Sequence, residues 1–304
     1  MARDLRRSIR KYWQLYLILI PVILYYVLFK YNPMLGAQIA FRNFKFSMGI
    51  WDSPWVGLKH FDRFFASAQA STIIFNTLYL SFLSLLFSFP LPIVLALIVN
   101  EMRGKRAKKA LQTITYAPHF ISTIVVIGML TAMCSPSTGI LNKLLMNLGI
   151  TEDGLYLMGL GRYFRGMYVL SGVWQDCGWN AIIFISALAA IDPSLYEAAK
   201  VDGASRFQQL LHVTLPGILP TIIIMLILEC GKVMNIGFEK VFAMQTDLNL
   251  NVSEVISTYT YKIGLQDLQY DYATAIGLFN SIVSFTMLLI VNGISRRVSD
   301  TSLW

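Results

Sequence analysis

Residues 197–220 read EAAKVDGASRFQQLLHVTLPGILP, a polar, helix-prone stretch set between apolar runs long enough to cross a bilayer. Just upstream, Asp192 followed by Pro193 marks a helix start, with a capping carboxylate and then proline at the first helical position. The run from Ser194 to Val201 suits a helix, and Ala198 and Ala199 let another surface approach closely. Asp202-Gly203 punctuates it, because glycine tolerates the left-handed conformation that ends helices. Ser205 with Gln208 three residues later forms a capping box for a second short helix. Phe207, Leu210 and Leu211 fall on one face of that helix, with Arg206, Gln209 and His212 elsewhere. Pro216 then opens the next apolar run. The expected geometry is helix, glycine turn, helix. In a membrane protein such a segment, offered to the cytoplasm, is a place to touch a soluble partner; the plainer reading is an ordinary loop containing a helical hairpin.

The rest of the chain says why a membrane is expected. Of 304 residues, 56% are hydrophobic and only 14% charged, with a mean hydropathy of +0.57. Soluble domains carry charge on about a quarter of their residues. We read six spans at roughly 13–32, 74–99, 111–134, 166–190, 215–236 and 273–295, each near the ~20 apolar residues that a ~30 Å hydrocarbon core requires. All should be helical, since hydrocarbon leaves unpaired backbone groups unsatisfied. The formal charge of +8 is no nucleic-acid patch. Arg3, Arg6, Arg7, Arg10 and Lys11 precede the first apolar run, and Arg103, Lys105, Arg106, Lys108 and Lys109 lie between two others. Such basic flanks belong in the cytoplasm. Six spans then place both termini, 100–110 and the loop at 191–214 inside, with Arg296 and Arg297 after the last span. The near-balanced charge of 191–214 means that its side follows from counting spans.

The N-terminus begins like a signal peptide but runs on through Phe29 without a small-residue cleavage site, so an uncleaved first span is expected. External segments fall at about 33–73, 135–165 and 237–272; the first, rich in aromatics and charges, fits either an interfacial segment or a small ordered lid. Cys134, Cys177 and Cys230 have neither metal-ligand nor disulfide-framework spacing. No internal repeat or linker is visible, so one membrane domain over 1–304 is expected, with core spans at about 74–295.

Polar side chains inside spans are costly and face protein or a water-filled path. The fourth span carries Trp174, Gln175, Asp176, Trp179 and Asn180; the fifth Glu229, Lys232 and Asn235; the sixth Asn280, Ser281 and Ser284; the second Asn76. Aromatic faces beside amides and carboxylates suit sugars, whose CH-rich side packs on the ring while hydroxyls take hydrogen bonds. Interhelical packing is the structural alternative for each. Glu229 and Lys232 are spaced to pair on a helix. Asp176 has no partner at three or four residues and is left to face water, a partner helix or a proton.

No catalytic or metal site is expected. No G-x-x-x-x-G-K-[ST] phosphate loop occurs, so energy must come from a partner or an ion gradient. His60, His119 and His212 are scattered, without H-E-x-x-H or G-x-S-x-G, which argues against an enzyme. A secondary transporter would call for inverted repeats, and none is seen; it stays the alternative, kept open by Asp176 and Glu229.

Glu197, Ala198, Ala199, Asp202, Gly203, Ala204, Leu215 and Pro216, in register and before the second-last span, resemble the coupling motif of permease subunits of bacterial ABC importers. The segments GFEKVFAM, SEVISTYTYKIGL, YATAIGLFNSIVSF and the final SLW, with RSIRKYWQLYLILIPVILYYVLFKYNPMLGAQIAF at the start, are similar to sugar-importer permeases of the maltose-transporter superfamily. Within it they resemble the branch associated with polysaccharide breakdown products. The resemblance implies docking of an ATPase on the loop, with Gly203 as the bend, Glu197 as a polar contact and Phe207 on the coupling face. It further implies a second related permease, two ATPase subunits that bind the ATP and magnesium, and an extracytoplasmic binding protein delivering an oligosaccharide. The setting is a bacterial cell membrane crossed several times; permeases for other small solutes are the nearest alternative.

Overall fold

The computed structural model describes residues 11–298. The arginines at 3, 6, 7 and 10 and the final SLW lie outside the described residues. By packing, the chain divides into two compact units, Met1–Ser67 with Thr260–Leu278, and Ala68–Tyr259 with Phe279–Trp304.

In the first unit, α1 (Trp13–Tyr26) runs through a wide π-turn at Val27–Tyr31 and on to Phe41 as a 29-residue candidate span. None of its residues is buried, so an apolar surface is left for lipid or another chain to cover. The segment beyond is ordered. Arg42 Nη1 donates to the carbonyls of Trp51 and Ser53, at 2.7 and 2.9 Å, and Phe41 stacks on Trp55. α2 (Lys59–Ala66) brings buried His60 within 3.0 Å of the Arg42 carbonyl and 3.6 Å of Asp271.

The second unit is organised about one long helix. α3 (Ala70–Ser88) and α4 (Pro90–Glu101) form a single 32-residue candidate span. α5 (Lys105–Tyr116) and α6 (Thr123–Met133) meet at a 98° bend. α7 (Gly161–Ala189) then packs against α3, α4 and α5, and is followed across a 66° bend by α8 (Pro193–Val201). α9 (Leu215–Cys230) and α10 (Phe238–Met244) follow, and α11 (Tyr270–Val298) belongs to this unit from Phe279 onward. α7 ties together two cores, one of Phe164, Tyr168 and Val169 with Val241 and Met244, the other of Ala181, Phe184 and Leu188 with Ala96 and Ile218. Small residues let helices meet without a soluble-type hydrophobic drive: a Cβ on Gly178 would lie 2.1 Å from the Thr115 carbonyl oxygen. Among the described residues β structure is limited to two isolated bridges.

Among the described residues four helices are long and apolar enough to cross a membrane, and up to six spans result if each bent pair counts as one. Three expectations need correction. The span read at 111–134 is not straight: the turn Ala117–Phe120 and extended Ile121 break it beside Pro118. The fifth span does not run 215–236, because its helix begins at Arg206 and ends at Cys230. Lys232 and Asn235 therefore lie past the helix end. The second short helix of the loop is not separate either; Arg206–Gln209 runs through a π-turn at Leu210–Thr214 straight into α9. There Leu215 N–H reaches the Leu210 carbonyl, five residues back, and Asn32 N–H likewise reaches Val27. Each donor directly precedes a proline. The wide turn makes room for the proline ring, which would otherwise strike the carbonyl four residues earlier.

Candidate functional site

Two adjoining cavities, of about 990 and 220 Å³, open in the second unit and share Ser84, Ser88, Tyr168, Asn180, Glu229 and Gly237. The larger owes its shape to the bend between α5 and α6. Pro118 helps turn the chain, Ser122 caps α6, and the carbonyl of Ile121 is freed from any helix. Buried Gln175 answers it, donating from Nε2 at 2.9 Å. A freed carbonyl away from water needs such a partner. One residue further along α7, Asp176 Oδ1 lies 2.9 Å from His119 Nδ1. The His119 ring stacks on Trp179 with centroids 4.5 Å apart and planes 7° from parallel, and Phe120 meets Trp179 edge-on at 5.6 Å. The wall thus combines flat rings with amides and paired charges, the chemistry that holds a polyhydroxylated ring.

The residues singled out from the sequence divide into three groups. Asn180 and Glu229 line both cavities, Gln175 and Asp176 the larger, Lys232 and Asn235 the smaller. Glu229 accepts from Lys232 at 2.8 Å, and Asn280 donates to Asn235 at 3.0 Å. Trp179 enters through its His119 stack, whereas Trp174, 51% exposed, lines neither cavity. Asn76 is a buried tie: its Nδ2 donates to the carbonyls of Asn251 and Glu254, and its Oδ1 accepts from Arg165, whose guanidinium lies 4.5 Å from the Tyr79 ring centre. Sequence reasoning missed His119, Tyr168 and Lys240. A signal existed for the first, since Pro118 beside a histidine in an apolar run marks a broken span. Lys240, assigned to an external segment, gave none.

The loop before α9 is built from local capping. Asp192 Oδ1 accepts from Ser194 N–H at 2.9 Å, and Pro193 occupies the first turn of α8. Gly203, at φ +76°, ends it with two reverse bonds, Gly203 N–H to the Lys200 carbonyl and Ala204 N–H to that of Ala199, the Schellman arrangement. Ser205 and Gln208 cap each other. Tyr196 Oη, 3.1 Å from Thr214 Oγ1, ties α8 to the π-turn. Glu197, Ala198, Asp202, Gly203 and Pro216 are exposed, Ala199, Ala204 and Leu215 half-buried. Phe207 is 67% and Val201 87% exposed, two uncovered apolar side chains on a polar loop. Beside it a hollow of about 320 Å³ is lined by Ala199, Asp202, Gly203, Ala204, Gln208 and His212 among others.

Hydrogen bonds from Ser194 hold the Asp192 carboxyl below its ordinary value of 3.8. A depressed carboxylate stabilises the fold above its unfolded pKa and loses that contribution as pH falls through the folded one. Amide-exchange protection across 193–201 is therefore expected to stay level from neutral pH down to about 4 and to fall only below it. In Asp192→Asn the pH dependence should vanish.

Apolar helices around a polar cavity, with an uncovered helix–turn between two of them, define a membrane permease. Residues 88–300 match the family described as binding-protein-dependent transport system inner membrane component, and the chain belongs to that family. It is 41% identical over 290 residues, 95% of this chain and 91% of the other, to Protein LplB of Bacillus subtilis (strain 168). It is 39% identical, over 95% and 90%, to the polygalacturonan/rhamnogalacturonan transport system permease protein YteP of the same organism. Among solved structures it resembles a chain of a bacterial ABC transporter involved in the import of the acidic polysaccharide alginate. The TM-score is 0.90 and the identity 42%, over 97% of this chain and 99% of that one. A second chain, from the alginate transporter in complex with alginate pentasaccharide-bound periplasmic protein, gives 0.90 and 41%, over 98% and 99%.

Proposed function

We propose that this chain is a permease subunit of an ATP-driven importer in a bacterial cytoplasmic membrane, passing an oligosaccharide inward from an extracytoplasmic binding protein. Family membership carries the transport reading; the cavity of stacked rings, amides and carboxylates supports a saccharide. The loop of α8, Gly203 and the start of the fifth span is the ATPase dock. Its uncovered Val201 and Phe207 offer apolar anchors, and the hollow beside Gly203 offers a receptor for a partner's side chain. Anchors of this kind carry most of the energy of an interface. Both termini are cytoplasmic, on the reading that basic flanks stay inside. A second, related permease completes the pore, and the exposed α1 is available to it or to lipid. Two ATPase subunits would hold ATP and magnesium; the residues of this chain bind, guide and release the solute.

The test is ATP hydrolysis by this chain reconstituted in lipid with its neighbouring permease, ATPases and binding protein, against a panel of neutral and acidic oligosaccharides. Stimulation by one saccharide class is the expected result. An assembled complex that no saccharide stimulates removes the carbohydrate reading. Failure of any ATPase to assemble removes the dock and brings the gradient-driven transporter forward.

A further inference from the structure

Most of the titratable groups that line the cavities have a partner in contact or face solvent. Asp176 faces His119 at 2.9 Å and Glu229 faces Lys232 at 2.8 Å, while Glu239 is exposed to solvent. Lys240 is the exception. It projects from α10 into the wall of the larger cavity with only 9% of its surface exposed. Its Nζ lies 4.7 Å from the centre of the Tyr168 ring. It fits against α7 because residue 172 is glycine: a Cβ there would come within 2.9 Å of Nζ. Among the described residues no carboxylate comes within ion-pair distance of it, and no hydrogen bond holds its ammonium.

A buried ammonium with no carboxylate in contact is costly, and a ring face together with the more distant Asp176 recovers only part of that cost. Burial pushes Lys240, which lies between the fifth and sixth spans and outside both, down to about 8, against the attraction of Asp176. It therefore remains largely protonated near neutrality while lacking an anion. The cavity at its side has the volume to bring one.

Building on the saccharide reading above, we propose that Lys240 is the anion-selecting residue of the cavity, pairing with the carboxylate of a uronic-acid residue as an acidic oligosaccharide passes. A neutral sugar would leave the ammonium without a counter-charge, so the pairing favours acidic chains over isosteric neutral ones. Tyr168 and Gly172 are its positioning residues: the ring lies against the ammonium, and the missing Cβ leaves room for it.

The proposal is tested in the reconstituted complex with two pentasaccharide probes, oligogalacturonate and alginate, each beside its carboxyl-reduced neutral counterpart. In the wild type one acidic probe is expected to stimulate uptake and ATP hydrolysis more than its neutral form. Lys240→Gln should raise the half-saturating concentration of that probe by about 10- to 100-fold, the weight of one charged hydrogen bond. Uptake of the neutral form should be little changed. Lys240→Arg should retain most of the preference, and Gly172→Ala, by displacing the ammonium, should weaken it. Raising the pH through about 8 should erode the preference in the wild type but not in Lys240→Arg. The titratable groups that line the cavity with Lys240 are Tyr168, Asp176 and Cys177 on α7, His119 at the bend, Glu229 on α9 and Glu239 on its own helix; α6, packed against α10, contributes none.

Equal acidic uptake by wild type and Lys240→Gln would overturn the proposal and leave the saccharide reading intact. A wild type that takes only neutral probes would do the same. A complex stimulated by no probe would overturn both. If Lys240→Gln fails to assemble, Lys240→Arg and Gly172→Ala carry the comparison: unchanged preference in Gly172→Ala together with lost preference in Lys240→Arg would count against the ammonium as the selecting group.

Discussion

Gly203→Leu is expected to leave the chain folded and inserted while cutting recovery of the ATPase with the purified complex by about 30-fold, the loss that a 2 kcal/mol anchor residue produces. The substitution meets no steric obstacle, because nothing lies within 4 Å of the position a Cβ would take. Its cost is conformational. At φ +76° an ordinary side chain is disfavoured by about 1–2 kcal/mol, so the turn relaxes and the two bonds that close α8 are lost. Val201 and Phe207, on either side of the turn, then change their placement relative to each other. Glu197→Lys, on an exposed position of α8, should act on the same contact without altering the turn. Affinity purification through a tag on this chain reads out both. Normal ATPase recovery with each variant would remove the dock from 191–214.

Gly178→Ala should have the largest effect on stability. A methyl group there would stand 2.1 Å from the Thr115 carbonyl oxygen and 2.4 Å from its carbon, and backbone cannot rotate aside as a side chain can. Overpacking of this kind costs about 1–3 kcal/mol, here at the seam between α5 and α7 that also shapes the bend. Gly166→Ala, on the same helix with nothing within 4 Å, is the internal control. Relieved of a helical glycine, it should gain about 0.5–1 kcal/mol. Thermal unfolding of the two purified variants in one detergent should therefore move in opposite directions. Parallel shifts would mean that helix propensity, not the Thr115 contact, governs the position.

What could be read in advance was local. Asp192-Pro193, Ser205 with Gln208, and Gly203 each act over three or four residues, and all three appear as read. Apolar runs likewise located the spans. Their ends were harder: Val233 to Ile236 continues the apolar run in composition, yet the helix stops at Cys230. Distant partners were not legible. Asp176 has no partner legible in the sequence because His119 is 57 positions away, and the bond of Gln175 to the Ile121 carbonyl is not legible because that carbonyl is freed only once Pro118 has helped bend the chain. Lys240 read as an ordinary external charge, since only the folded packing of α10 against α7 buries it.

If the loop is the ATPase dock proposed above, the unbroken run from Arg206 to Cys230 is the lever that links it to the cavity. At about 1.5 Å per residue its 25 residues make a rod of roughly 37 Å. Glu229, on the cavity wall, sits at one end and the Gly203 turn at the other. A rocking of about 5° pivoted at the middle would carry each end through about 1.6 Å, more than a hydrogen bond tolerates. Pro216 is taken up by the π-turn, so on this reading a stroke at one end is returned nearly equal and opposite at the other. A modest push at the loop would suffice to reset the polar wall, with no element along the way to amplify it or to waste it.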